Sequence, residues 1–200
     1  MPDAVDRVVL GASLPKTNEQ MARLVTAGRG SLAFILGDDA SRYRLLGACI
    51  NWDRVLVAFQ GETALGYAAF KWQKKGPFCA ERQHFVEHFG RLSGGVRFTL
   101  FQFFEQRELR YPFFLYGLRV NKHVRNQGVA GTLLEAACEY ARQAGARHVD
   151  LEVQRHNRRA RRLYLHHRFQ VVRSSWLPPL KGWPALFSVQ GMRRDLEPCT

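Results

Sequence analysis

The sequence predicts a mixed α/β domain, α and β elements packed around one central sheet, and three observations lead there. Pro112–Val120 is an apolar, aromatic run that reads as a strand buried on both faces. Directly after it, Arg125-Asn126-Gln127-Gly128-Val129-Ala130-Gly131 opens a stretch of helical periodicity. His148–Gln154 then alternates, with Val149, Leu151 and Val153 on one side and Asp150, Glu152 and Gln154 on the other. The order along the chain is helices, a β-hairpin, helices, then β-α-β-α-β-β.

Each element has a local reason. Asn18–Ala27 and Asp38–Cys49 read as helices, and Asp38 or Asp39 suits the N-cap of the second. Arg54–Gln60 and Ala64–Lys71 flank Gly61-Glu62-Thr63 and should pair as a hairpin that ends at Lys74-Lys75-Gly76-Pro77. Residues 79–90 and 96–108 look helical, separated by Ser93-Gly94-Gly95, and this insertion (about 78–111) is dense in phenylalanine. Phe85, Phe89, Phe98, Phe101, Phe103 and Phe104 are expected in a core, with some walling a substrate pocket. Residues 129–144 place Val129, Leu133, Leu134, Ala137, Tyr140, Ala141 and Ala144 on one face, with Gly145 set to stop the helix. Asn157–His166 is a short helix, and Phe169–Ser174 and Leu186–Met192 are late strands joined by a Pro/Trp-rich loop.

Two hundred residues, 46% of them hydrophobic, suit one domain spanning 1–200 that needs no disulfides. The cysteines at 49, 79, 138 and 199 form no CxxC pair and read as reduced thiols of a cytoplasmic protein. The opening MPDAVDRVVLGASLPK lacks the basic end and apolar stretch of a secretory signal, and no run approaches the ~18 apolar residues of a membrane span. The net charge of +13 and pI near 10.3 point toward anionic partners. Arg155, Arg158, Arg159, Arg161 and Arg162 concentrate part of that charge. A solvated helix face, a polyanionic cofactor, nucleic acid or an acidic protein would each account for them.

The segment Arg125–Gly131 has the makings of a diphosphate cradle. Gly128 and the small Ala130 let main chain approach an anion, and the helix from about Val129 adds its positive end. It is neither a Walker A loop, since no GK[ST] follows, nor a GxGxxG fingerprint. Downstream, Glu152 is a carboxylate on the polar side of its strand, and Tyr164 shares a helix face with Asn157 and Ala160. A carboxylate and a phenol on adjacent elements are suited to moving protons. Arg161 lies near that same face, within reach of a phosphate.

These residues resemble the GCN5-related N-acetyltransferases (GNAT). Their signature (R/Q)xxGx(G/A) after a strand is matched by Arg125, Gly128 and Ala130. Their NxxAxxLYxxxGF pattern is matched by Asn157, Ala160, Leu163, Tyr164 and Phe169. Leu151-Glu152-Val153 with Asn157 is similar to the ribosomal-protein alanine N-acetyltransferase subgroup. The likeness spans roughly residues 50–195 and is strong from 113 to 169. It implies a central, mostly antiparallel, twisted sheet splayed between the strands 113–120 and 148–154 and flanked by helices, with acetyl-CoA in the opening and no metal. Leu118-Arg119-Val120 would pair their backbone with the pantetheine arm. Amides across Arg125, Asn126, Gln127, Gly128, Val129, Ala130 and Gly131 would hold the diphosphate, and Asn157 the thioester end. Tyr164 would protonate the departing thiolate, and Glu152 would take a proton from a primary amine. The family's Gly-Phe corner is Arg168-Phe169 here, so arginine must strain or change that turn.

The acceptor is open: a protein N-terminus, a lysine, an aminoglycoside-like amine or a small metabolite. Oligomeric state is open too, homodimers being common among symmetric assemblies. Three other readings compete. His84-Phe85-Val86-Glu87-His88 spells HxxEH, a zinc-peptidase pattern without a third ligand. The same fold would also serve as a CoA-binding sensor without turnover. The basic surface would also suit nucleic acid, held through phosphates in a salt-sensitive way.

Overall fold

The computed structural model describes residues 5–14, 19–28, 32–174 and 188–197. Seven strands form one sheet: β1 Arg7–Leu10, β2 Val55–Gln60, β3 Thr63–Trp72, β4 Phe113–Val120, β5 His148–Gln154, β6 Gln170–Ser174 and β7 Val189–Asp195. Their order is β1-β2-β3-β4-β5-β7-β6, and every neighbouring pair is antiparallel except β4–β5. The helices are α1 Glu19–Ala27, α2 Ala33–Leu36, α3 Asp39–Leu46, α4 Arg82–Phe89, α5 Arg91–Glu108, α6 Val129–Gln143 and α7 Arg158–His166. The expected mixed α/β architecture with a mostly antiparallel sheet is therefore present. No helix among the described residues is long and apolar enough to cross a membrane.

Alternation along the strands divides the core between the two faces of the sheet. Leu56, Ala58, Leu65, Ala68, Phe70, Phe113 and Leu115 pack against Leu133, Leu134 and Ala137 of α6. Val55, Val57, Tyr67, Ala69, Phe114 and Tyr116 face the other way, onto Met21 and Val25 of α1. A register shift lets Ala69 oppose Gly117 and Phe70 oppose Leu115, so Tyr116 is an extra residue on β4. That bulge re-aims the strand: Leu118 and Val120 turn to the α6 side, where Phe113 and Leu115 already point. β4 and β5 pair at Phe114–Asp150 and Leu115–Leu151 and no further, while β5 stays paired with β7 through Gln154–Val189. A parallel pair that stops after two residues opens the sheet between β4 and β5.

Element boundaries shift where local signals compete. The Asp38 side chain accepts from the Ser41 N–H at 2.8 Å, as an N-cap should, but the helix gives way to a 3-10 turn at Gly47–Cys49. Ser93-Gly94-Gly95, expected to separate two helices, lies inside α5; the break falls at Gly90 instead. Gly94 is there for close approach, because a Cβ on it would sit 2.3 Å from the Phe85 carbonyl oxygen in α4. Phe85 and Phe101 centre a small separate core with Ile35, Leu36, Leu45 and Leu46, whereas Phe103 is 64% exposed. Strand β1 and the one-turn α2 were not anticipated, and the Pro/Trp-rich loop expected after Ser174 lies outside the described residues.

The inserted helices are bolted to the sheet by a buried charge cluster. Lys71 of β3 is 2% exposed, and its Nζ lies 2.8 Å from Glu105 Oε2 and 2.9 Å from Glu108 Oε2 of α5. The Tyr116 hydroxyl donates to Glu105 Oε1, and its ring lies 4.6 Å from the Lys71 ammonium.

Candidate active site

Chain leaves β4 at Val120, makes a 3-10 turn over Lys122–Val124 and reaches Gly128, which is left-handed (φ 83°). Glycine takes that conformation without a Cβ penalty, and nothing lies within 4 Å of where a Cβ would be. Asn126 is also left-handed (φ 67°). Two successive positive-φ corners turn the backbone so that α6 starts facing the opening between β4 and β5. No side chain caps α6. The amides of Gly131 and Thr132 donate to the Gly128 carbonyl at 2.8 and 3.1 Å, which leaves Val129 and Ala130 as the first-turn donors to offer.

These elements enclose a cleft of about 470 Å³. Leu118, Arg119 and Val120 form one wall, and Arg125, Asn126, Gly128, Val129, Ala130 and Gly131 form the floor. Asn157 and Tyr164 of the α7 region close the other wall. Gln127, Arg161 and Glu152 are not among the lining residues. Arg119 contributes main chain only, since its guanidinium crosses to the opposite face and donates to the Ala27 carbonyl at 2.5 Å.

Asn157 caps α7, its side-chain oxygen accepting from the Ala160 N–H at 3.1 Å. Its carboxamide nitrogen is the part with donors for a ligand. Arg159, rather than Arg161, lines the cleft and donates to Asn126 Oδ1 at 2.8 Å, tying α7 to the loop. Helical periodicity from Asn157 points Arg159 away. It arrives because Asn157 is a cap outside the helix and because a long side chain in the first turn can reach back. Ala160, Leu163 and Val124 line the cleft too; the first two belong to the tyrosine-helix pattern, while Val124 carried no sequence signal.

Tyr164 is buried, and loss of solvent pushes its phenol up to about 12. Its position is fixed by the turn that ends α7. Phe169 N–H donates to the Tyr164 carbonyl at 3.0 Å and Arg168 N–H to the Leu165 carbonyl at 3.1 Å, a Schellman arrangement. Arg168 sits in the left-handed region (φ 63°), so the corner keeps its shape and arginine carries the strain, about 1 kcal/mol or more. The Phe169 ring then packs 5.9 Å from the Tyr164 ring.

Glu152 lies on the other face of the opened sheet, its side chain 8% exposed. It pairs with Arg173 of β6, and Arg110 lies 3.9 Å away. Gly191, opposite Glu152 on β7, leaves room for Arg173, whose Cβ would touch a Cβ placed there at 3.4 Å. Arg173 also donates to the Tyr111 hydroxyl at 3.1 Å. Tyr164 and Glu152 thus flank the opening from opposite sides, the phenol in the cleft and the carboxylate in an ion pair.

The HxxEH pattern is spent on structure. His84 Nδ1 accepts from the Glu81 N–H at 3.1 Å in the cap of α4, and His88 packs its ring 4.5 Å from that of Phe89. Among the described residues, no group of three or more His, Cys, Asp or Glu is placed to hold a metal ion. The six phenylalanines of the insertion are likewise absent from the cleft wall.

Comparison with known proteins agrees with this geometry. The family model described as acetyltransferase (GNAT) matches residues 36–169. The uncharacterized N-acetyltransferase YhfO of Bacillus subtilis (strain 168) is 40% identical over 70 residues, 34% of this chain and 47% of that protein. The chain therefore spans just under half the length of that curated relative. The ribosomal-protein-S18-alanine N-acetyltransferase from Escherichia coli is similar in fold over 97% of this chain and 96% of that one, with TM-score 0.52 and 15% identity. So is yncA, a putative acetyltransferase from Salmonella typhimurium solved with its cofactor acetyl-CoA, over 97% and 95%, with TM-score 0.55 and 14% identity.

Proposed function

From the premise that the chain belongs to the acetyltransferase (GNAT) family, we propose that it transfers an acetyl group from acetyl-CoA to a primary amine by direct attack. The observation that carries this reading is one cleft holding both an uncapped helix start at Gly128 and the Tyr164 phenol. The residues present fit coenzyme A. The Val129 and Ala130 amides and the positive end of α6 suit its diphosphate, and the side of β4 turned toward β5 suits its amide-bearing arm. Arg125 and Arg159 bring positive charge to the same rim.

Bound acetyl-CoA supplies a thioester whose C–S bond breaks as the amine nitrogen bonds to the acetyl carbon. Tyr164 donates its proton to the departing sulfur; a phenol held near 12 stays protonated at neutral pH and is available for that step. Asn157 orients the reacting end through its carboxamide N–H group. Glu152 takes the proton lost by the amine, directly or through water, and must loosen its contact with Arg173 to do so. Amine attack requires the neutral amine, so a proton acceptor on the far side of the opening from Tyr164 is well placed. The acceptor is a protein N-terminus, a lysine or a small amine.

A thiol-release assay with acetyl-CoA against a panel of these amines tests the reading. Amine-dependent release of free CoA is the expected result. Tight CoA binding with no release for any amine would instead favour a non-catalytic CoA sensor, and no CoA binding would end the proposal.

A further inference from the structure

Where β4 and β5 part, the side of the sheet away from the cleft is charged unevenly. Glu152 is the first β5 residue beyond the last β4–β5 pair. Among the described residues, three arginines meet two carboxylates around it. Arg193 donates to both oxygens of Asp150 at 2.9 and 3.3 Å, and Arg173 donates to Glu152. The third, Arg110, has its Nη2 3.9 Å from Glu152 Oε1, too far for a hydrogen bond, and donates instead to the Tyr111 hydroxyl at 3.2 Å. Arg173 donates to that same oxygen at 3.1 Å, so one neutral atom bridges two guanidiniums. His148, 3.2 Å from Asp150, adds only positive charge when protonated. Glu105 and Glu108, the neighbouring carboxylates of α5, share Lys71.

Exposure sharpens the imbalance. The side chains of Arg110 and Arg173 are 48% and 46% exposed, whereas those of Glu152 and Asp150 are 8% and 2% exposed. Whatever approaches this side of the opening meets guanidinium edges before carboxylate oxygens. Tyr111 braces them: its ring stacks on Phe114 with centroids 5.1 Å apart, and the Arg110 guanidinium lies 5.0 Å from its centre. A planar guanidinium with donors to spare takes a carboxylate through two parallel hydrogen bonds. The net charge of +13 also draws anions toward the chain.

Resting on the acetyl transfer proposed above, we infer that the acceptor is an amino acid with a free carboxylate, held by Arg110 and Arg173 while its amine faces Glu152. The contact between Arg173 and Glu152 sets the spacing, because amine and carboxylate must then be only a few bonds apart. A free amino acid meets that requirement. A protein N-terminus, whose neighbouring carboxyl is an amide, and a lysine within a chain do not. The arriving carboxylate takes over Arg173, so Glu152 turns to the amine only when such an acceptor is present. The transfer itself is unchanged: nitrogen bonds to the acetyl carbon, the C–S bond breaks, Tyr164 protonates the sulfur, and Glu152 holds the proton shed by the amine. A diamine is the poorer fit, since its second ammonium would lie against Arg110.

Thiol release with acetyl-CoA tests this on a series of amino acids, each supplied as free acid and as carboxamide, with a lysine peptide alongside. The carboxamide has the more easily deprotonated amine, so reactivity alone favours it. The parent should instead prefer the free acids by about tenfold or more in kcat/KM. Arg110→Gln, which leaves the Arg173–Glu152 pair in place, should erase most of that preference by raising KM for the acids. CoA titration and a thermal melt of the variant report that fold and cleft are intact. Carboxamides accepted as readily as acids by the parent would overturn the inference and leave acetyl transfer standing. So would release confined to the lysine peptide, or a preference untouched by both Arg110→Gln and Arg173→Gln. No release with any amine, from protein that binds CoA, would end both.

Discussion

Replacing Gly128 separates backbone strain from ligand exclusion. With φ at 83° and no atom within 4 Å of a Cβ, a side chain there clashes with nothing, so the folding penalty is conformational. For an ordinary L-residue it is about 1–2 kcal/mol, and Val belongs at the upper end or beyond. In a chain of this size each kcal/mol moves Tm by roughly 2–4 °C, so Gly128→Val should lose about 4–8 °C. Asn tolerates the left-handed region, so Gly128→Asn should lose about 2 °C or less. Both side chains nonetheless intrude where a diphosphate would meet the Val129 and Ala130 amides. Forfeiting a helix-terminus anion contact of about 1–2 kcal/mol weakens binding roughly 5–30-fold. Calorimetric titration with CoA, beside a thermal melt, reads both effects. Pantetheine, which lacks the diphosphate, should bind as before. If Gly128→Asn keeps both its Tm and its CoA affinity, the amides at the start of α6 do not hold the cofactor.

Tyr164→Phe should cut turnover about 10²-fold or more while CoA affinity holds; unchanged turnover removes the phenol from the chemistry. Burial raises both Tyr164 and Cys138 to about 12, from 10.0 and 9.0. Both are neutral when protonated, so the stability they contribute is complete below pH 9 and lost as pH climbs from 9 to 12. Flat stability across that window, measured by urea titration, would contradict their burial. Glu152→Gln should slow transfer most below the amine's own pKa at little cost in stability, since Arg173 is half exposed and screened by water. An unaltered pH–rate curve would pass the role of base to another group. Lys71→Met strands Glu105 and Glu108 without their buried cation and should cost about 3–5 kcal/mol, or roughly 6–20 °C in Tm. A loss of under about 3 °C would mean those carboxylates find other partners.

What could be read from sequence was what is local. The β2–β3 hairpin followed from two apolar runs around Gly61-Glu62-Thr63, and α6 from its 3.6-residue period up to Gly145. The loop at Gly128 and the helix carrying Asn157 and Tyr164, both marked in the sequence, line one cleft. Long-range pairing was out of reach. Gly94 looks like a helix breaker until Phe85 is seen pressed against it. Glu152 reads as a solvent-facing strand residue, because Arg173 and Arg110, twenty-one and forty-two positions away, carry no marker linking them to it. Arg159 was passed over for Arg161 because helical phase was counted from a residue that only caps the helix. Strand β1 is four residues long and gave too short a pattern to register.

The early end of the β4–β5 pairing leaves the side of β4 that faces β5 without a strand partner beyond Leu115. An open strand margin at the rim of a protein invites other chains to zip onto it, a route to aggregation. Here the margin lies behind the starts of α6 and α7, along one wall of the cleft. A slender molecule with amides of its own can still enter. The fold thus sets its open strand margin inside a cleft rather than along an outer rim.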